Sequence, residues 1–243
     1  MNFTRLRDFT PARVGLGRAG SSVPTRELLA FQLAHAHARD AVHAHLDPQA
    51  LALELSPSKC LMVRSAAPDR STYLRRPDLG RQLNEESGRL LSFERGPFDA
   101  AFVIADGLSA LAAESHAARM LESILKKLNA LEWNLAPIVI VEQGRVAIGD
   151  EVAVCLGAAL VVVLIGERPG LTSPDSLGIY LTWNPRPGVT DAGRNCISNI
   201  WTEGLSYHAA AHRLLFLMTE ARSRKLSGVG LREDRAAGTL LTP

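Results

Sequence analysis

Glu167 and Arg168 form a charged pair directly after an apolar run at residues 160–165. A continuous β-branched run is typical of a strand buried on both faces, as in a parallel sheet. Turn-forming residues follow the pair, beginning with Pro169 and Gly170, so the strand ends in a rigid loop. Ligands of open α/β sheets bind at the carboxyl ends of the strands, so the pair predicts a ligand-binding loop.

A glycine-rich segment at residues 15–20 matches the G-x-G-x-x-G spacing of a dinucleotide-binding turn. Only the short segment 12–14 precedes it where a full strand is required. Asp40 lies at about the spacing of a ribose-binding acid but falls inside a helical pattern. The segment therefore predicts a glycine-permitted turn before a helix.

Histidines occur in two groups that invite a metal interpretation: His35, His37, His43 and His45 in one predicted helix, and His208 and His212 in another. Residues two apart on a helix point to different faces, so the first group chelates poorly. The second group has a suitable spacing of four but no nearby third ligand. We expect exposed or interface histidines in the first group and a structural role for the second.

Ser109 follows a predicted strand and opens a helix, which nearly reproduces a nucleophile elbow. Leu111 replaces the second glycine of Gly-x-Ser-x-Gly, so capping of the helix is the simpler interpretation.

Three arginines surround Asp78 in a loop at residues 75–81. That loop either clamps an anion or a partner's acidic segment, or is a solvated turn.

The elements alternate as strand, helix, strand, helix, strand from residue 96 onward. The strands are predicted at residues 60–64, 100–105, 137–141, 160–165 and 178–183, and the helices at residues 24–46, 82–91, 108–131, 149–156 and 203–225. This order predicts an α/β fold with a Rossmann-like parallel sheet flanked by helices, preceded by a smaller, mainly helical N-terminal region. Three loops, at residues 106–107, 143–146 and 166–168, should then line one edge of the sheet, and Asn195 and Cys196 could reach the same edge.

The composition is that of an ordinary globular protein, with 243 residues, 47% hydrophobic residues and a net charge of +2. The near-neutral charge gives no electrostatic case for nucleic acid. Three separated cysteines indicate reduced thiols, and no signal peptide or membrane-spanning run is evident. We expect a cytoplasmic protein.

Six segments together make the chain resemble one family, the small (light) subunit of ethanolamine ammonia-lyase. They are RVGLGRAG at residues 13–20, RPDLGR at 76–81, IADGLS at 104–109, GRVAIGD at 144–150, LIGERPGL at 164–171 and NCISNI at 195–200. They occur in order over nearly the whole chain.

The resemblance implies a carbon–nitrogen lyase that uses adenosylcobalamin (coenzyme B12) to convert ethanolamine to acetaldehyde and ammonia by radical chemistry. It also implies a large-subunit partner, a TIM barrel with the substrate site, in a six-plus-six assembly. The small subunit covers part of the corrin, and matching the family's cofactor contacts gives Val146, Glu167 and Cys196. The Asp-x-His-x-x-Gly signature is absent, which fits a cobalamin that keeps its own dimethylbenzimidazole ligand.

Three regions follow: residues 1–95, mainly helical and contacting the large subunit; 96–229, the cobalamin-binding α/β domain; and 230–243, a polar tail. Many family members carry a longer amino-terminal extension that serves encapsulation in a bacterial microcompartment. The matching region here begins near Arg13, which favours a free enzyme. Two alternatives remain open, an NAD(P)-binding oxidoreductase that uses the segment at residues 15–20 and a non-catalytic scaffold subunit.

Overall fold

The sheet has six strands, and its order is β1-β3-β2-β4-β5-β6. The computed structural model describes Leu6, Phe9, Thr10 and residues 12–231, so most of the predicted tail lies outside the described residues. The strands are β1 Cys60–Arg64, β2 Ala100–Ala105, β3 Ile138–Glu142, β4 Leu160–Gly166, β5 Leu177–Trp183 and β6 Asn195–Ile200. The helices are α1 Thr25–His43, α2 Pro48–Glu54, α3 Arg70–Arg75, α4 Glu85–Phe93, α5 Ala110–Ala130, α6 Ile148–Leu156 and α7 Tyr207–Arg224.

The sheet is mixed, so the prediction of a parallel sheet holds for only part of it. Strands β1, β3, β2 and β4 run parallel to one another, whereas β5 is antiparallel to both β4 and β6. The reason is the connection after β4, which is short and contains no helix, while a parallel crossover needs a dozen or more residues. The α/β class is confirmed and the Rossmann-like description is not.

Alternate residues of the central strands pack into two separate cores. Phe102 and Ile104 of β2 lie in the core covered by α2, α5 and α7. Ala101 and Val103 lie in the opposite core, against α6 and α4. Every residue of β2 and β4 is buried, which explains the continuous apolar runs of their sequences.

Strand β1 joins the N-terminal region to this sheet. It comes from residues 1–95 and pairs with β3, from Cys60 beside Ile138 to Arg64 beside Glu142. The sheet therefore takes strands from both sides of the predicted boundary near residue 95.

Most residues of helix α1 are exposed to solvent. Gly15, Gly17 and Gly20 precede it with positive φ angles of 60°, 81° and 63°, which confirms a glycine-dependent turn. Ala41 is the buried residue of α1, and the four histidines at residues 35, 37, 43 and 45 are exposed. Within the described part of the chain, every helix is too short or too polar to cross a membrane.

Candidate functional site

Glu167 lies at the carboxyl end of β4, where its carboxylate is held on one side. The hydroxyl of Ser176 donates to its Oε2 at 2.6 Å, and the backbone N–H of Asn199 donates to the same oxygen at 3.3 Å. No described residue donates to Oε1. The side chain extends over Gly178 of β5, where an added Cβ would lie 2.9 Å from Oε1. One oxygen is thus free to accept a hydrogen bond from a ligand.

Cys196 lies on the same side of the sheet. It pairs with Tyr180, which pairs with Val163 of β4, so it sits on the sheet face and not at the predicted strand-end edge. The antiparallel course of β5 and β6 places it there. Burial raises the pKa of the Cys196 thiol, the Glu167 carboxylate raises it further, and a hydrogen bond from Tyr180 lowers it. The thiol is therefore protonated at neutral pH and close to Glu167.

Val146 lies just before α6 and contacts the apolar core beneath this face. It packs against the core that also receives Tyr180. Helix α6 lies tightly on β4, because a Cβ on Gly149 would collide with Val163. The three residues assigned by resemblance therefore share one side of the sheet, with Val146 in the loop that leads into α6.

A buried ion pair joins helix α6, which follows Val146, to Arg194, which directly precedes β6. Arg194 donates to both oxygens of Asp150, at 2.8 and 2.6 Å, and both side chains are 2% exposed. Arg194 also donates to the hydroxyl of Thr182 on β5. Sequence reasoning missed this pair, and its one signal was the position of Asp150 at the end of the GRVAIGD segment.

Asp106 is buried inside the strand-end loops and does not face a ligand. Its carboxylate accepts the backbone N–H groups of Gln143 and Gly144, both at 2.9 Å, and lies 3.3 Å from the buried guanidinium of Arg70. Burial raises the pKa of Asp106 to about 6, although Arg70 and the two N–H groups act in the opposite direction. The predicted alignment of the strand-end loops is present, but Asp106 serves as an internal connector that holds the loop before Val146.

The segment between Glu167 and β5 is tied to the opposite core. Ser109 caps α5 by accepting the N–H of Ala112, as predicted, and donates its hydroxyl to the carbonyl of Pro174. The buried ring of His116 lies 3.2 Å from the Asp175 carboxylate and 2.7 Å from the Tyr207 hydroxyl. These contacts make the loop a fixed part of the fold, and they also occupy Ser109, so it is not an exposed nucleophile.

The remaining sequence candidates form no site. His208 and His212 are exposed on α7, and no group of three potential metal ligands lies together among residues of the described ranges. Arg76 pairs with Asp78 in an exposed turn, at 2.7 Å, which agrees with the solvated alternative for that loop.

On the face carrying Glu167, Tyr180 and Cys196, Cys196 is exposed and the other two side chains are partly exposed. Two surface hollows of about 740 and 660 Å³ lie elsewhere, beside β1 and between α4 and α6. This face offers a ligand one carboxylate oxygen as a hydrogen-bond acceptor, a partly buried aromatic ring and a neutral thiol.

Comparison with known proteins gives one consistent family. The model of the ethanolamine ammonia-lyase light chain matches residues 1–232. The ethanolamine ammonia-lyase small subunit of Pseudomonas fluorescens strain Pf0-1 is 55% identical over 241 residues, covering 97% of this chain and 88% of the relative. Those of Ralstonia nicotianae and Azotobacter vinelandii are 58% and 56% identical, covering 94% and 97% of this chain and 87% and 90% of the relatives.

Proposed function

Because the chain belongs to the ethanolamine ammonia-lyase light-chain family, we propose that it is the small subunit of an enzyme that converts ethanolamine to acetaldehyde and ammonia. It acts as a carbon–nitrogen lyase in complex with a large subunit. The nicotinamide alternative is not supported, because the glycines at residues 15–20 precede α1 and the first strand begins at Cys60. Family membership likewise gives the scaffold alternative no support.

The cofactor of this enzyme is adenosylcobalamin, and the sheet face carrying Glu167 and Cys196 is the part of its site that this chain supplies. The residues present fit such a group. The corrin ring carries amide side chains that donate hydrogen bonds, and Oε1 of Glu167 has no donor among the described residues. Val146 and Tyr180 are partly buried side chains packed on the core of the same side of the sheet, and they offer the ligand apolar contact.

Adenosylcobalamin, when bound, would supply the radical chemistry. Glu167 accepts a hydrogen bond from a corrin amide or from the nucleotide tail, and Val146 packs against an apolar part of the ligand. Cys196 contributes through its backbone or as a weak thiol partner, because its raised pKa keeps it protonated and unsuited to ligating cobalt. The face excludes water from one side of the ligand.

The large subunit completes the site from the opposite side. We place its contact in the N-terminal region, residues 1–95. In helix α1 of this region, Leu29 and Leu33 are 57% and 60% exposed. These residues are four apart and so lie on one side of the helix. Exposed large apolar side chains at helical spacing are typical of a surface that another chain covers. A TIM-barrel large subunit in a six-plus-six assembly is the form that the family resemblance implies.

The observation that carries the proposal is Oε1 of Glu167, to which no residue of the described part of the chain donates, on the same sheet face as Cys196. Its test is co-expression with the large subunit of the same operon and measurement of adenosylcobalamin-dependent acetaldehyde formation. Turnover by the co-purified complex and not by either subunit alone is the expected result. A stable complex without cobalamin-dependent turnover would favour the scaffold, and the absence of any complex would overturn the proposal.

A further inference from the structure

The two oxygens of the Glu167 carboxylate have different surroundings. Oε2 accepts hydrogen bonds from the Ser176 hydroxyl and the Asn199 backbone N–H. The main chain adds a third contact, because the Glu167 N–H donates to the Ser176 carbonyl at 2.9 Å. The side chain is therefore held by the residue before β5 and by the end of β6, and the held oxygen fixes the direction of the other one.

We propose that Ser176 and Asn199 are positioning residues, which aim Oε1 of Glu167 at an amide N–H of the bound cobalamin. The inference rests on the proposed function, since it assumes that Glu167 contacts the cofactor. A freely rotating glutamate would lose side-chain entropy on binding, whereas one already held in place loses less. Ser176 and Asn199 then contribute to cofactor affinity without touching the cofactor.

Asn199 has the backbone conformation that this role requires. Its φ angle is +64°, in the left-handed region that asparagine and glycine tolerate better than other residues. The conformation is supported on both sides, because the Asn199 side-chain oxygen accepts the Trp201 indole N–H at 2.7 Å and the Asn199 carbonyl accepts the Leu205 N–H at 2.7 Å. Asn199 lies where the pairing of β6 with β5 shifts register, and this irregularity directs its N–H toward Glu167.

Gly178 leaves the space that the Glu167 side chain occupies. A Cβ at this position would lie 2.9 Å from Oε1 and 3.2 Å from Cγ of Glu167. Two residues further along β5, the same face carries larger side chains, Tyr180 and its β6 partner Cys196. A methyl group on Gly178 would therefore displace the carboxylate from the direction that Ser176 and Asn199 impose.

The test is cyanocobalamin binding by the complex co-purified with the large subunit, followed by absorbance or equilibrium dialysis. Ser176→Ala removes the closest donor, and we expect about a 10-fold loss of affinity. Asn199→Val disfavours the left-handed conformation and should weaken binding to a similar degree. Asn199→Gly keeps both the conformation and the N–H and should restore most of that affinity. Ser123→Ala on α5, whose hydroxyl donates to the carbonyl of Arg119, is the matched serine control.

A double variant separates positioning from a general structural effect. If Ser176 acts through Glu167, Ser176→Ala should have little further effect on affinity in a Glu167→Gln background. The KM for ethanolamine at saturating adenosylcobalamin should stay unchanged in the Ser176→Ala complex, because the substrate site belongs to the other subunit.

Three results would overturn the inference. The first is native cyanocobalamin affinity in both Ser176→Ala and Asn199→Val, together with weakened affinity in Glu167→Gln. Glu167 would then contact the cofactor without help from the other two residues. A second is an equal loss of cyanocobalamin affinity in Asn199→Val and Asn199→Gly, which would show that the left-handed backbone conformation of Asn199 is not the cause. The third is native affinity in all variants including Glu167→Gln, which removes the cofactor contact itself.

Discussion

Arg194 places both of its terminal guanidinium nitrogens against the two carboxylate oxygens of Asp150, at 2.8 and 2.6 Å, beneath the surface of the protein. Asp150 lies in the first turn of α6, four residues after Val146, and Arg194 lies two residues before Cys196. The pair therefore fixes the distance between two parts of the proposed cofactor face. The same arginine also donates a hydrogen bond to the hydroxyl of Thr182 on β5.

Replacing Arg194 with methionine should destabilise the chain by about 3–5 kcal/mol, because it leaves the Asp150 carboxylate buried without its partner. Urea unfolding of the full chain measures this loss. The control is Arg89→Met, which removes an exposed i,i+4 pair with Glu85 and should cost about 0.5 kcal/mol or less. Equal effects of the two substitutions would contradict the structural role of the buried pair.

Stability should depend on pH through Asp106. Burial raises its pKa from 3.8 to about 6 in the folded chain, so the folded state holds this proton more tightly than the unfolded state. The stabilisation from this group is complete below pH 3.8 and is lost as the pH rises through about 6. The free energy of unfolding, relative to Asp106→Asn, should thus fall between pH 4 and 6 by up to about 3 kcal/mol. A difference that grows over this interval would show that the donors around Asp106 outweigh burial.

Cys196 should react slowly with iodoacetamide at neutral pH although it reaches the surface. Burial and the nearby Glu167 carboxylate raise the pKa of its thiol, and the thiolate is the reactive form. Its labelling rate, followed by mass spectrometry, should keep rising beyond pH 9, the ordinary pKa of a thiol. Glu167→Gln removes a negative charge and should speed the reaction at a given pH, while bound cobalamin in the complex should slow it. A rate that levels off below pH 9 would contradict the assignment.

Two glycines offer substitutions of opposite sign. Gly88 lies inside α4 with no atom within 4 Å of an added Cβ, so Gly88→Ala should stabilise the chain by about 0.5–1 kcal/mol.

Gly166 ends β4 against the Ser109 and Asp106 carbonyl oxygens, so Gly166→Ala should prevent native packing or greatly lower the melting temperature. Thermal unfolding of both variants tests the close approach of the β2 and β4 ends, and a tolerated alanine at Gly166 would refute it.

The buried strands were the most predictable part of this fold. β2, β4 and β5 are continuous apolar runs, and their positions follow from sequence within a residue. Strand direction is not encoded in such a run, so the sequence predicted β5 as a strand but did not show that it runs antiparallel to β4. The connection from Glu167 to Ser176 carried the missing information, because it has no helix and is shorter than most parallel crossovers.

The candidate site was predictable to a smaller extent. Strand order placed Glu167 at the end of β4, whereas the location of Cys196 depended on the register of β6 with β5. Asp106 was predicted in a strand-end loop, and nothing in the sequence pointed to Arg70 as its buried partner, because a sequence does not show which charges are buried together. Their pairing becomes visible only when α3 packs on the ends of β2 and β3.

Cobalamin affinity of the complex with the large subunit, compared between the wild-type chain and one carrying Glu167→Ala and Val146→Ala, tests the central claim most directly. The account predicts a complex that assembles normally, binds cyanocobalamin at least about 10-fold more weakly and loses turnover at limiting adenosylcobalamin. Native cofactor affinity and native turnover in the double variant would contradict the claim that this sheet face forms part of the cofactor site.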